Sequence, residues 1–361
     1  MTTTHEEKVE FESWVQETLT RVSPLSRSAA AAVGDASGTD EIRAGLAENG
    51  LLGALVPEEF GGLALSPLMI AALLRASGQH LVPTGLLSGS VVAPFVLGLA
   101  ADEGDLLTAI AEGGTRIAWA DLDGDDEVAV IDGHLTGTKT HVLDADAADR
   151  FLVTVGGTGV YLVDAAASGV AVETGRVLDS TRPVRRIHFT RAAARALTIA
   201  DVRETIAQAR LLLTFGLAAE AAGQAQATLD LSVSYALVRE QFGRPIGSFQ
   251  AVKHRCADMF VSAQGARAGT ELVATTWEST GSLPAFETDA TATYALRAAL
   301  ENATAAMQIH GGIAFTWEHD AHWYLKRAKA AQLSAPGIDE TVLAETALDP
   351  QFDLVGQLFR S

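Results

Sequence analysis

The sequence predicts a mainly α-helical protein with a small antiparallel β domain at its centre and a four-helix bundle at its C-terminal end. Apolar residues follow a helical period up to about residue 112 and again from about residue 200, whereas short alternating segments lie between. The second helical region is long and rich in small residues, which is typical of helical bundles. We therefore expect three domains, at residues 1–113, 114–195 and 196–361.

The N-terminal domain is expected to consist of helices. Apolar spacing predicts them over Phe11–Val22, Thr39–Asn49, Pro67–Ser77 and Ala101–Glu112. Gly50 is a plausible end for the second helix, because glycine commonly follows the last helical residue. The segment "VPEEFGGLALSP" is bounded by prolines and contains two glycines, so it is expected to be a loop.

The central domain is predicted from short segments that are rich in β-branched residues and separated by turn residues. These segments are "RIAWADL", "EVAVIDGHLTGTKTHVL", "RFLVTVGGTGVYLVD", "GVAVETGRVLD" and "VRRIHFTR". The word "GGTG" (Gly156–Gly159) resembles a phosphate-binding loop, but no helix follows it. A hairpin turn is therefore the better prediction.

The C-terminal domain begins with one helix of unusual length. The helices of this domain are predicted at Asp201–Val238, Gln250–Thr280, Asp289–His310 and Glu318–Gln332. Pro245 and Gly247 mark the connection between the first two helices.

The charge balance restricts the partners that the protein can have. The formal net charge is −19, from 45 acidic and 26 basic residues. Nucleic acids and anionic membranes are therefore unexpected partners, and a phosphate-bearing ligand would need locally placed arginines. The single cysteine, Cys256, excludes an intrachain disulfide, and the polar, acidic N-terminal segment has no apolar signal region. We expect a cytoplasmic protein.

Two long segments of the C-terminal domain carry a family resemblance. They are "VREQFGRPIGSFQAVKHRCADM" (Val238–Met259) and "MQIHGGIAFTWEHDAHWYLKRAKA" (Met307–Ala330). Weaker matches are "LVPEEFGGL" (Leu55–Leu63) and "IDGHLTGTKTHVLDADAADRFLV" (Ile131–Val153). In these words and in their order, the chain resembles the acyl-CoA dehydrogenase family over essentially its whole length. The resemblance implies the FAD-dependent α,β-dehydrogenation of an acyl-CoA thioester.

The resemblance also implies which residues bind FAD. In the family, the first segment reaches across a dimer interface and clamps the FAD of the neighbouring subunit. The matching positions are Arg239, Gln241, Phe242, Ile246, Phe249, Gln250, Gln308, Gly311 and Gly312. Arg239 would face the pyrophosphate, while Ile246 and Phe249 would lie on the adenosine side.

The chemistry of these residues agrees with that assignment. An arginine offers a fork of donors to a diphosphate, a phenylalanine offers a flat apolar wall, and glycines let the backbone approach phosphates. The alternative is that Arg239 and Arg244 belong to a solvated turn and that the aromatic side chains belong to the core.

The catalytic glutamate of the family has no counterpart in this chain. One family position for the base corresponds to Ala335 in "LSAPG", and the other corresponds to Leu213, with Thr214 where many members have an arginine. Neither residue can accept a proton. Glu220 lies two helical turns beyond Leu213, and Arg210 lies one turn before it, so these residues are weaker candidates for a displaced base and a displaced substrate contact.

The flavin-facing words of the family are also altered. The "TEP" loop corresponds to "WADLDGDDEVAV" (Trp119–Val130), which places Asp123, Asp125 and Asp126 around Gly124. Carboxylates are unfavourable beside a flavin that accepts a hydride and beside an anionic CoA. The "WITN" word is replaced by His141–Asp144, so Leu143 stands where the family has a hydroxyl donor.

This combination predicts a subunit that keeps the clamp but lacks its own catalytic half-site. It resembles the non-catalytic chains of heteromeric α2β2 acyl-CoA dehydrogenases, which are known from actinobacteria and associated with steroid side-chain degradation. The partner would then be a catalytic paralogue that holds most of the acyl-CoA, and an electron-transferring flavoprotein would receive the electrons. The alternatives are a self-sufficient homo-oligomeric flavoenzyme with a relocated base, and a flavin-free structural or regulatory homologue.

A metal site is not expected. Glu318, His319 and His322 have spacing that suits a helical metal site, but they fall in a helix of the family that binds no metal. His254 and Cys256 are not spaced as a catalytic dyad.

Overall fold

A computed structural model describes residues 4–32 and 36–335. The first region is helical, with α1 (His5–Val22), α2 (Leu25–Ala32), α3 (Ala36–Glu48), α4 (Pro67–His80), α5 (Ala93–Gly98) and α6 (Gly104–Ala111). Thr4 and Glu7 form a reciprocal capping box at the start of α1, and Ser66 caps α4 with Pro67 as its first residue. The short helices α2 and α5, and the π-helical segment Leu86–Val92 before α5, were not predicted.

The β domain contains two four-stranded sheets. One sheet has the order β1 (Ile117–Ala120), β4 (Arg150–Val155), β5 (Gly159–Asp164) and β8 (Arg195–Ala196). The other has the order β2 (Ala129–Ile131), β3 (His134–Leu143), β7 (Val184–Ala193) and β6 (Val170–Val172). The small antiparallel domain is confirmed, apart from one parallel pair, β1 with β4. The chain crosses the other sheet between these two strands, and such a long connection permits parallel pairing.

Tight turns join two of the antiparallel pairs. Gly156 and Gly157 have φ angles of 56° and 63° between β4 and β5, so "GGTG" is a hairpin turn, as predicted. Asp132 and Gly133 form the equivalent turn between β2 and β3, with φ angles of 50° and 74°.

The C-terminal region returns to long helices. It contains α7 (Val202–Val238), the two-residue strands β9 (Glu240–Gln241) and β10 (Arg244–Pro245), α8 (Gln250–Thr280), α9 (Ala285–His310) and α10 (Ala321–Ser334). Among the described residues, no helix combines the length and the apolar character that crossing a membrane requires.

Two glycines bring α4 into backbone contact with α7. A Cβ atom at Gly223 would lie 1.9 Å from the carbonyl oxygen of Arg75, and one at Gly78 would lie 2.0 Å from that of Glu220. No side chain fits in either place. The apolar core is consequently continuous from the N-terminal helices into α7, α8 and α9, while a second core fills the space between the two sheets.

Candidate functional site

The first clamp segment is a short hairpin at the end of α7. Phe242 and Gly243 form its two-residue turn with φ angles of 55° and 75°, and the Ile246 N–H donates to the Arg239 carbonyl at 2.7 Å. Phe242 is 92% exposed. A left-handed backbone conformation at a phenylalanine costs about 1–2 kcal/mol of folding free energy, so the turn that holds this side chain outward is locally unfavourable.

The ring of Phe249 organises the base of this hairpin. The guanidinium carbon of Arg244 lies 4.2 Å from the Phe249 ring centroid, and the Phe242 ring meets it edge-on at 6.2 Å. A cation–π contact of this kind restricts the arginine. The Arg239 side chain, by contrast, is exposed and forms no ion pair with the described residues.

The second clamp segment lies at the end of α9 and is joined to the first by a stacked pair of rings. Tyr235, one turn before Arg239, stacks on His310 with 4.4 Å between ring centroids. The His310 Nδ1 contacts the Ala306 carbonyl oxygen at 2.8 Å. The ends of α7 and α9 therefore lie side by side.

Gly311 has a backbone conformation that favours glycine, with φ 66° and ψ −141°. A Cβ atom at Gly311 or at Gly312 would meet nothing within 4 Å, so backbone is open to a ligand there. Gln241, Gln250 and Gln308 are also exposed. We call residues 239–250 and 308–312 the clamp. Its free guanidinium, open glycine backbone and outward aromatic ring fit a phosphate-bearing flavin nucleotide.

The two positions that the sequence predicts for the family's catalytic base are apolar and packed. Leu213 is buried in the main core, and Ala335, at the end of α10, packs against the same core. We call the region formed by residues 141–144, Leu213 and Ala335 the β-side half-site. Leu143 in this region is buried and offers no hydroxyl donor.

Glu220 is engaged in a buried ion pair. Its Oε2 accepts from Arg182, and the hydroxyl of Ser77 donates to its Oε1 at 3.3 Å. Both Glu220 and Arg182 are almost fully buried. The carboxylate therefore neutralises a buried arginine. If Glu220 took up a proton as a base, Arg182 would be left as a buried charge without a partner.

A second buried ion pair lies close to the first. Arg327 on α10 donates to Asp179, and its Nη2 donates to the Thr181 hydroxyl at 2.6 Å. Sequence reasoning missed both pairs. The available signal was an arginine at a core-facing position of α10, which needs an acidic partner.

Asp144 borders these ion pairs at the end of β3. Its Oδ2 has no hydrogen-bond partner within the described residues, and a Cβ atom at Gly85 would lie 3.5 Å from it. Burial raises the pKa of Asp144 to about 6, and the nearby Arg182 partly opposes this shift. The β-side half-site therefore holds a carboxyl group whose ionisation is energetically unfavourable.

Basic side chains neutralise two carboxylates at the acidic loop after β1. Asp123 lies 2.8 Å from the ammonium of Lys139, which is fully buried and donates to the Asp121 carbonyl at 2.6 Å. Arg210 donates to both carboxylate oxygens of Asp121, at 2.7 and 2.9 Å. Arg210, a candidate substrate contact, is thus held by the β domain.

The histidines near the second clamp segment pack as aromatic rings. His319 lies 4.3 Å from His310 between ring centroids, and His322 lies 4.5 Å from Trp323. Burial lowers the pKa of His322 to about 4. Among the described residues, no three metal-ligating side chains are grouped closely enough to hold an ion.

The order of helices, β domain and helical bundle, with an arginine–phenylalanine–glycine clamp at one end of the bundle, defines a flavin-dependent acyl-CoA oxidoreductase fold. Residues 184–346 match the family model of the acyl-CoA dehydrogenase C-terminal domain. The acyl-CoA dehydrogenase IpdE2 of Mycobacterium tuberculosis is 36% identical over 294 residues, which cover 79% of each chain. The chain therefore belongs to the acyl-CoA dehydrogenase family.

Another relative is longer than this chain. The acyl-CoA dehydrogenase FadE34 of Mycobacterium tuberculosis is 38% identical over 82% of this chain, but the match spans only 40% of FadE34. The steroid acyl-CoA dehydrogenase variant Tcur3481–Tcur3483 has a TM-score of 0.82 and 26% identity over 99% of both chains. A chain of the ChsE4–ChsE5 complex of Mycobacterium tuberculosis has a TM-score of 0.82 at 24% identity, covering 100% of this chain and 99% of that one, which supports the fold.

Proposed function

We propose that this chain is the non-catalytic subunit of a heteromeric, FAD-dependent acyl-CoA dehydrogenase. In this role it completes the FAD site of a catalytic paralogue, most simply in an α2β2 heterotetramer, within the reducing cytoplasm. The partner holds most of the acyl-CoA, and an electron-transferring flavoprotein accepts the electrons.

The observation that carries the proposal is the contrast between the two half-sites. Removal of an α-proton requires a base within hydrogen-bond reach of it. Leu213 and Ala335 occupy the positions that we assign to that base, and the Glu220 carboxylate is engaged in an ion pair with Arg182. The clamp, in contrast, keeps an unpaired arginine, an outward phenylalanine and open glycines.

The surface around the clamp supports a protein partner. Large apolar side chains are exposed on the two segments that the Tyr235–His310 contact joins. They are Leu237, Val238, Phe242, Ile313, Phe315 and Trp317. Apolar side chains concentrated in this way are typical of an interface. The occupant we propose is a chain of the same family, because a chain with this fold is part of the ChsE4–ChsE5 complex.

The residues of the clamp have separate tasks in this proposal. FAD, when bound, supplies the hydride acceptor of the dehydrogenation. Arg239 would hold its pyrophosphate, assisted by Gln241, while Ile246, Phe249 and Gln250 would contact the adenosine side. Gln308, Gly311 and Gly312 would approach the phosphates from the end of α9. Phe242 would lie beside Arg239 and Gln241, at the surface that meets the partner.

The experiment is to express the chain alone and together with a catalytic paralogue. The proposal expects a colourless, inactive chain on its own, and a yellow complex that oxidises acyl-CoA. A yellow and active preparation of this chain alone would favour a self-sufficient flavoenzyme. A stable complex that contains no FAD would favour a structural or regulatory homologue.

A further inference from the structure

Ring contacts close the base of the loop that connects α9 to α10. We call residues 311–320 the α9–α10 loop, and it begins with the open glycines of the clamp. His319 near its end lies 4.3 Å from His310 between ring centroids, and His310 in turn stacks on Tyr235. The Ala321 N–H donates to His319 Nδ1 at 3.2 Å, which orients that ring at the start of α10. The two ends of the loop are therefore held together.

A small side chain anchors the middle of the α9–α10 loop. Ala314 lies in the single turn of 3-10 helix Gly311–Phe315 and is 0% exposed. It packs with Met307 and Ala321 in a small apolar cluster between the two helices. The open glycines directly precede this anchor, so their backbone conformation depends on how the rest of the loop is held.

A lysine of α10 holds a tryptophan of the loop. The ammonium of Lys326 lies 4.5 Å from the ring centroid of Trp317 and 4.6 Å from that of Trp323. The two indole rings meet at 5.5 Å and 62°, and His322 packs edge-on against Trp317 at 5.3 Å. Trp323 belongs to α10 and is 2% exposed, whereas Trp317 belongs to the loop and is 70% exposed. Lys326 therefore ties a surface ring of the loop to a buried ring of the helix.

The charge of Lys326 is used in this contact and not in a salt bridge. Within the described residues it forms no ion pair. An ammonium over two indole rings gains a cation–π interaction from each of them, and such contacts strengthen when they are partly shielded from water. Lys329, three residues further along α10, is exposed and donates to Gln332 of its own helix at 3.3 Å. The two lysines of α10 thus have different surroundings.

We propose that Lys326 is a positioning residue for FAD. By holding Trp317 against α10, it keeps the backbone of Gly311 and Gly312 in the open conformation that receives the phosphates. A preformed loop binds its ligand more tightly, because less conformational entropy is lost on binding. The inference rests on the proposed function, in which the clamp contacts FAD, and it adds a residue that acts through the loop.

The test measures FAD release from the complex of this chain with its catalytic partner. Lys326→Met keeps most of the side chain but removes the charge, and it is expected to raise the dissociation constant of FAD about fivefold. Lys326→Arg retains the cation–π contact and is expected to stay within about twofold of the unchanged complex. Lys329→Met is the matched control, and it is expected to have no effect.

Hydrogen exchange of the full chain without its partner tests the same contact separately. In Lys326→Met, the amides of residues 311–317 are expected to exchange about fivefold faster, because the loop opens more often. The amides in the middle of α9 should be unaffected, which distinguishes a loosened loop from a destabilised protein. Lys326→Arg and Lys329→Met should both exchange as the unchanged chain does.

Three results would overturn the proposal. The first is the same FAD affinity in Lys326→Met and Lys329→Met. The second is a loss of affinity that Lys326→Arg does not restore, and the third is unchanged exchange of the α9–α10 loop in Lys326→Met. Failure of the proposed function would be distinct, because the complex formed by the unchanged chain would then contain no FAD. That result would also remove the role of Lys326, whatever the exchange of the loop.

Discussion

A carboxylate can act as a base only while it is free to receive a proton, and the oxygens of Glu220 are engaged by Arg182 and Ser77. The positions of Leu213 and Ala335 could be read from the sequence, because ungapped words flank both of them. The partner of Glu220 could not be read, because Arg182 is 38 residues away and Asp179 is 148 residues from Arg327. Such pairs depend on how three domains pack, which no local pattern encodes.

The buried carboxyl of Asp144 gives a pH-dependent prediction. Its folded-state pKa lies above its ordinary value of 3.8, at about 6, so ionisation destabilises the folded protein. The contribution of this group to stability is therefore lost as the pH rises from about 4 to about 6. Asp144→Asn should raise the free energy of unfolding at pH 8 by about 1–3 kcal/mol, and at pH 4.5 by only about a third of that, because the folded carboxyl is still protonated there. Urea unfolding at both pH values measures this, and an equal effect at both would refute the assignment.

Arg239 gives a prediction for the complex. Arg239→Ala should raise the dissociation constant of FAD by at least about tenfold, because a charge-assisted contact to the pyrophosphate is lost. The partner's own folding should not change. Flavin release on dilution measures the effect, with Arg203→Ala as the charge-matched control. An unchanged FAD affinity would show that the clamp is wrongly assigned.

At the scale of elements, a substitution in the turn of the clamp hairpin should weaken assembly with the partner and leave folding unchanged. Phe242→Ala removes a ring that is 92% exposed, so the stability of the isolated chain should change by less than about 0.5 kcal/mol. Its association with the catalytic partner should weaken by about tenfold or more, as expected for an aromatic residue at an interface. Leu272→Ala, on an exposed part of α8, is the control. Equal association of the two variants would argue against an interface at the clamp.

The crossing of α4 and α7 gives a prediction about packing. Gly223→Ala should destabilise the protein by about 2 kcal/mol or more, because its Cβ would lie 1.9 Å from the Arg75 carbonyl oxygen. Gly98→Ala in α5 is the control, since its Cβ would meet nothing within 4 Å. Thermal unfolding of both variants measures the difference, and similar midpoints would mean that the helices cross elsewhere.

The elements themselves were predictable to different degrees. The predicted bounds of α8, Gln250–Thr280, are the observed ones, because Pro245 and Gly247 precede the helix and Gly281 follows it. The π-helical segment Leu86–Val92 was missed, since its sequence LLSGSVV shows neither a helical nor an alternating apolar period. The parallel pairing of β1 with β4 was missed because strand direction is set by the path of the chain and not by alternation.

For the whole molecule, membership of the acyl-CoA dehydrogenase family was predictable from two long sequence segments, Val238–Met259 and Met307–Ala330. They include the two segments of the clamp, at the ends of α7 and α9, which the Tyr235–His310 contact joins.

The number of flavins per chain tests the account most directly. The chain is co-expressed with a catalytic paralogue, the complex is purified, and FAD is counted by absorbance against the amount of each chain. A subunit that provides only the clamp predicts one FAD for every two chains. One FAD per chain would show that the β-side half-site, with Leu143, Leu213 and Ala335, holds a flavin of its own, and would contradict the account.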